Sequence, residues 1–144
     1  MVTVGMLTPE DRAVWQRLFD GYNTFYGRTM SAGFFDTAWG RFAADADIHA
    51  LGARVDGVLV GIVHFLTHPS TTTADLCYLQ DLFTAPEARG AGVGRALIAA
   101  VADWARARGC DRVYWQTHED NTAARRLYDA VAEHHGFVVY RLAL

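Results

Sequence analysis

Apolar residues recur along this chain with two different periods. From Pro9 to about Phe25, Val14, Trp15, Leu18, Phe19 and Tyr22 fall at the spacing that lines one face of an α-helix. Thr8 stands where an N-cap belongs, and Pro9 takes the first helical position, where a missing N–H costs nothing. A second helical stretch, Phe34 to Phe42, follows the loop Arg28 to Gly33. The period then changes. His49 to Arg54 and Val58 to Leu66 read as strands joined at Val55-Asp56-Gly57, where Asp-Gly is a strong hairpin signal. After the polar loop Pro69 to Ala74, Leu76 to Thr84 reads as a third strand that ends before Pro86. Val93 to about Arg108 is helical, with Leu97, Ile98, Val101 and Trp104 on one face and Gly109 as its stop. Arg112 to Thr117 is a strand. Asn121 or Thr122 opens a last helix striped by Ala124, Leu127, Tyr128 and Val131, with His134 and His135 at its carboxyl end, and Gly136 releases the chain into a final strand, Phe137 to Leu142. This order predicts an α/β (α+β) fold, a mixed sheet with helices on both faces.

Composition narrows the class. A chain of 144 residues, 51% of them apolar, buries one substantial core and is too short for two ordinary domains, so residues 1–144 are expected to form a single domain. The amino terminus lacks a basic start and an apolar segment, and no apolar run is long enough to span a bilayer, which predicts a cytoplasmic protein without a membrane partner. The net charge of -3 offers no general attraction to nucleic acid. Cys77 and Cys110 have no ligand-like spacing and read as small buried apolar residues. His64 and His68, if on one strand, lie ~13 Å apart along the chain, so no metal is implied.

The stretch from Glu87 to Ile98, EARGAGVGRALI, carries the most pointed chemistry. A P-loop needs Lys-Ser or Lys-Thr after its last glycine, and Arg95-Ala96 stands there. A dinucleotide fingerprint needs a glycine at position 95 and its first glycine directly at the strand end, and both requirements fail. Gly90, Gly92 and Gly94 still leave successive backbone N–H groups unshielded at a helix start, a nest for an anion such as a pyrophosphate, and Arg89 and Arg95 add positive charge. The plain alternative is a tight strand-to-helix connection that uses glycine only for its backbone freedom.

Arg89-Gly-Ala-Gly-Val-Gly94 resembles the Arg/Gln-x-x-Gly-x-Gly/Ala signature of the GNAT superfamily of acetyl-CoA-dependent N-acetyltransferases. Asp81-Leu-Phe-Thr84 before it, and Trp115 to Asn121, Ala124, Leu127-Tyr128 and Gly136-Phe137 after it, follow that pattern in order. The wording between the motifs looks most like the histone/polyamine subgroup, whose members tend to be homodimers. The resemblance implies a mostly antiparallel sheet with a splayed strand pair forming the acetyl-CoA cleft. It assigns cofactor contacts to Leu82, Phe83 and Thr84, to the loop Arg89, Gly90, Ala91, Gly92, Val93, Gly94 and Arg95, and to Asn121 and Ala124. It also makes Tyr128 the general acid.

Acetyl transfer requires a neutral amine, and a lysine-like amine is neutral only about once in two thousand at pH 7. Polyamine-type relatives carry Glu-Asp where this chain has Gln80-Asp81, and Gln80 cannot accept a proton. Asp81, Glu119 through a water, or the histidines His64 and His68 are the candidate bases, although Asp81 can also point to the other face of its strand. Tyr22, Phe25 and Tyr26, with Gln80 and Glu119, are expected along the acceptor cleft. The missing glutamate at position 80 also motivates a second reading, a non-catalytic acyl-CoA-binding module of the same fold. The aromatic strand Phe137-Val-Val-Tyr140 is expected to continue a sheet across a homodimer interface.

Overall fold

The Asp56-Gly57 pair turns the chain as its chemistry requires. In the computed structural model, which describes residues 1–144, both residues have positive φ, 50° and 80°, the conformation of a tight two-residue hairpin turn. The turn sets β2 (His49–Val55) against β3 (Val58–His68), with Val55 opposite Val58. The third strand predicted, Leu76–Thr84, pairs antiparallel with β3. It is β4 here, because an unforeseen strand, β1 (Val2–Met6), pairs antiparallel with the outer edge of β2. β5 (Arg112–Tyr114) closes the series and lies parallel to β4, so the sheet order is β1-β2-β3-β4-β5.

Helices cover both faces. A 3-10 turn, Pro9–Asp11, leads into α1 (Arg12–Phe25), and α2 (Ala32–Ala44) begins two residues before its expected start. The aromatic stripe of α1 meets α2 through Trp15, whose ring lies 6.3 Å from Phe35 and 5.8 Å from Phe42. On the opposite face lies α3 (Val93–Ala107), and α4 (Thr122–Val131) packs beside it. Trp15, Ile62, Val63, Phe65, Leu97 and Val101 are almost fully buried, each large side chain contributing about 1.5–3 kcal/mol by leaving water. Gly61 brings α3 close: a Cβ there would fall 2.5 Å from Val93 Cγ1, so the first turn of α3 sits directly on β3. Asp11 ties the opening turn to the sheet by accepting from the Thr8 N–H at 2.7 Å and from Arg54 Nη2 at 2.6 Å.

Three expectations are corrected. β5 stops at Tyr114 rather than Thr117, and α4 ends at Val131, before His134 and His135. The final strand Phe137–Leu142 does not form within the chain. Its residues have no strand partner, and Phe137, Tyr140 and Leu142 are 87%, 92% and 86% exposed. Alternating apolar residues supply the propensity for a strand, but a strand exists only where a second one accepts its hydrogen bonds.

Candidate active site

β4 and β5 run together for three residues and then part. Leu76, Cys77 and Tyr78 pair with Arg112, Val113 and Tyr114, after which the chain leaves into the loop Trp115 to Asn121. From Leu79 to Thr84, β4 is bonded to β3 alone. Its other edge, including backbone groups of Leu82, Phe83 and Thr84, lines a V-shaped opening that an extended ligand can enter as an added strand.

The opening leads to the glycine loop. A second 3-10 turn, Pro86–Ala88, brings the chain round to Arg89 and Gly90, and Gly92 caps α3. Gly90 and Gly92 have φ of 86° and 81°, with nothing within 4 Å of where a Cβ would stand, so their backbones face open space. Gly94 has a different task, since a Cβ there would meet Leu127 Cδ2 at 2.9 Å, and its smallness seats α4 on α3. Arg89 and Arg95 are exposed and make no ion pair, and Arg89 lies over the Phe83 ring at 5.7 Å. Ala91 is exposed, while Val93 belongs to the core. Free N–H groups at the start of a helix and two exposed guanidiniums that make no ion pair, with Arg89 Nε donating to the Thr84 carbonyl at 3.3 Å, suit an anion.

Across the opening stand α4 and the end of α1. Asn121 caps α4, accepting from the Ala124 N–H at 3.4 Å, and its Nδ2 donates to Thr117 Oγ1 at 3.3 Å. Tyr128 is half-buried with its ring edge-on to Trp115 at 5.3 Å. Burial, and next the neighbouring Tyr26, push the Tyr128 hydroxyl up to about 12. Phe25 and Tyr26 line an open pocket of about 430 Å³ with His118, Asp120, Asn121 and Thr122. Tyr22 packs on Tyr26 at 5.0 Å, and the Arg28 guanidinium lies over both rings at 5.5 and 5.4 Å. Glu119 is exposed, and its carbonyl accepts from Arg125 Nη1 at 2.8 Å.

A single irregularity decides which side chain of Gln80-Asp81 faces this region. Phe65 pairs with Leu79, yet the preceding residue, His64, pairs with Asp81, so Gln80 is an extra residue in a β-bulge. In unbroken register Gln80 would stand opposite His64 and Asp81 opposite Val63. The bulge instead turns Asp81 towards α1, where its Oδ2 lies 2.9 Å from His64 Nδ1, and leaves Gln80 exposed. Burial, and next the charge of Asp81, raise the Tyr22 hydroxyl well above the ordinary phenol range, with Arg28 acting in the opposite sense.

Of the candidate bases, the two histidines have both ring nitrogens engaged within the protein. His64 is fully buried, with both ring nitrogens engaged by Trp15 and Asp81. His68 bonds the Pro69 carbonyl through Nδ1 and the Tyr114 hydroxyl through Nε2. Trp15, Arg28 and His118 were not foreseen as parts of the site. For Trp15 the only sequence signal was its place on the buried stripe of a helix, and for the other two there was none.

Comparison with known proteins agrees with this geometry. The profile of the acetyltransferase (GNAT) family matches residues 15–136. D-amino-acid N-acetyltransferase HPA3 of Saccharomyces cerevisiae is 32% identical over 97% of this chain and 89% of its own. An aminoglycoside N(6')-acetyltransferase type 1 of Stenotrophomonas maltophilia is 28% identical over 89% of this chain and 83% of its own. Among solved structures, aminoglycoside N-acetyltransferase AAC(6')-Iy in complex with CoA superimposes with a TM-score of 0.81 at 22% identity, over 99% of this chain and 95% of that one, a likeness of fold. A mostly antiparallel sheet opened between β4 and β5, a glycine nest at the start of α3 and a match over most of the length agree, and the chain belongs to the acetyltransferase (GNAT) family of acyltransferases.

Proposed function

We propose that residues 1–144 form one N-acetyltransferase domain that moves the acetyl group of acetyl-CoA to a primary amine of a small molecule, a polyamine or a peptide. The observation that carries this reading is the continuity of the site: the free edge of β4 runs from Asp81, past Leu82, Phe83 and Thr84, to the nest at Gly90 and Gly92. The donor fits that path, since the nest and the unpaired Arg89 and Arg95 suit a pyrophosphate and the open edge suits an amide-bearing arm. When bound, acetyl-CoA supplies the acetyl group as a reactive thioester.

Each remaining task falls to a residue of this chain. A backbone N–H of the free β4 edge polarises the carbonyl. Asp81 takes the proton that the acceptor's ammonium must lose. Tyr128 meets the departing thiolate with its hydroxyl hydrogen; the raised phenol keeps that hydrogen across the working pH range. Asn121 and Ala124 hold the first turn of α4, and with it Tyr128. Gln80 and Glu119 border the cleft from exposed positions, and Tyr22, Phe25 and Tyr26 wall it. Gln80 favours the alternative of a non-catalytic module; Asp81, which keeps 13% of its side chain exposed, supports turnover instead.

The relatives named above act on D-amino acids and aminoglycosides, which supports small-molecule amines as acceptors more than the histone or polyamine amines of the subgroup first compared. A thiol-release assay with acetyl-CoA against D-amino acids, aminoglycosides, polyamines and a lysine peptide tests the reading. Release with any of them supports it, and acetyl-CoA binding without release across the panel overturns it. The reading includes a cytoplasmic location; no helix is long and apolar enough to cross a membrane. It also includes a homodimer, in which Phe137–Leu142 of each copy adds as a strand to the free edge of the other's β5. An exposed apolar segment of strand composition and an unfilled sheet edge in one chain support that pairing.

A further inference from the structure

The face of the sheet beneath α1 and α2 is aromatic and buried, and a line of polar groups crosses it. The Trp15 indole N–H donates to His64 Nε2 at 3.0 Å, and His64 Nδ1 lies 2.9 Å from Asp81 Oδ2. Trp15 and His64 have no exposed surface, Phe42 stacks on the imidazole at 4.2 Å, and Phe19 meets it edge-on at 4.8 Å. An indole nitrogen can only donate. His64 Nε2 is therefore the acceptor, the ring hydrogen sits on Nδ1, and Nδ1 donates to the Asp81 carboxylate. Both ring nitrogens are thereby used, and none is left to take a proton from a ligand. Asp81, by contrast, keeps 13% of its side chain exposed.

We propose that His64, with its tautomer set by Trp15, is a positioning residue for acetyl transfer: it orients Asp81 and holds the carboxylate ready for the acceptor's proton. The proposal rests on the acetyltransferase reading above. In the step concerned an N–H bond of the acceptor's ammonium breaks, its proton passes to the Asp81 carboxylate, and the bonding pair stays on nitrogen as the attacking lone pair. The proton then leaves Asp81 for solvent. A donor aimed at a carboxylate favours its charged form, and a fixed donor also fixes direction. The groups that face Asp81 are His64 from β3, Tyr22 from α1 with Arg28 beyond it, and Tyr78 from β4 itself. Of these, His64 is the one held from behind by a buried hydrogen bond.

The test compares His64→Phe, which fills the space without a donor, with His64→Asn, whose amide N–H stands near the place of Nδ1–H. With one amine throughout, His64→Phe is expected to lower kcat/KM at neutral pH by about tenfold to a hundredfold and to move the acidic limb of its pH profile upward. Acetyl-CoA affinity should stay unchanged, and His64→Asn should recover most of the loss. If His64→Phe does not fold, Trp15→Phe carries the same test, because it keeps a ring and removes the N–H that sets the tautomer; a smaller shift in the same direction is expected. Ring ¹⁵N spectra of the wild-type protein give a readout independent of turnover, with the hydrogen expected on Nδ1. A hydrogen found on Nε2, or an unmoved limb in the variants of an active enzyme, overturns the proposal alone. Absence of thiol release by wild type with any amine overturns the functional reading instead.

Discussion

Tyr128 is where burial and chemistry meet in one side chain. Removing its oxygen tests both: Tyr128→Phe is expected to lower kcat by about 10²-fold to 10⁴-fold with acetyl-CoA affinity and folding retained. If the hydroxyl is only a core polar group, turnover stays near wild type and the change costs about 0.5–1.5 kcal/mol at most. Kinetics and a thermal midpoint on this variant separate the two. The hydroxyl ionises near 10 in an unfolded chain and at about 12 when folded, burial being the main cause, so its stabilising effect is complete below 10 and fades as pH rises towards 12. Thermal midpoints at pH 8 and 11 should therefore fall less in Tyr128→Phe than in wild type. At Gly92, φ of 81° with open space around it means that Gly92→Val meets no neighbour but cannot hold the conformation without strain. Calorimetry should show strongly weakened acetyl-CoA binding by a chain that remains folded.

Elements are placed by contacts at their ends. The turn before α1 depends on Asp11, which is buried, accepts from Thr8 N–H and pairs with Arg54 on β2. Burial alone would raise its carboxyl, but the bonds from Arg54 and Thr8 outweigh it and hold the group below the ordinary carboxylate range. A depressed carboxyl stabilises the fold above its unfolded value and loses that effect as pH falls through its folded one. Asp11→Asn should thus cost about 1.5–3 kcal/mol at neutral pH, a deficit that chemical denaturation would show shrinking as pH drops below that range. Thr8 and Pro9 do open the first helical turn, because capping is local, but that turn is 3-10 and the α-helix starts only at Arg12. The strand before it was not legible: β1 has only five residues, three of them exposed, and it exists because β2 offers an edge.

At the scale of the whole molecule, the carboxyl-terminal segment leaves a mismatch between composition and surroundings. Phe137, Val138, Val139, Tyr140, Leu142 and Leu144 are all exposed, a concentration of apolar surface that a soluble monomer seldom maintains. Sedimentation should give twice the chain mass at micromolar concentration, and ending the chain after Gly136 should give a monomer with reduced thermal stability. A wild-type mass equal to one chain at every concentration would count against the dimer.

What the sequence determined by itself is what short-range physics determines. The Asp-Gly turn, the bounds of β4, the start of α3 at its glycines and the Asn121 cap of α4 depend on residues within a few positions of one another, and all four stand where they were expected. The glycine loop was readable for the same reason, although Gly94 proved to serve packing against Leu127. Tertiary structure alone decided the rest. Whether Gln80 or Asp81 turned towards His64 hung on a bulge against β3, and the bond between His64 and Asp81 joins residues 17 positions apart. Register is set by which face of the sheet must be buried, and an edge strand by whether a partner is present. Periodicity encodes the propensity for both, but the outcome belongs to the assembled sheet, which is why Phe137–Leu142 has the composition of a strand yet pairs with none of the strands of its own chain.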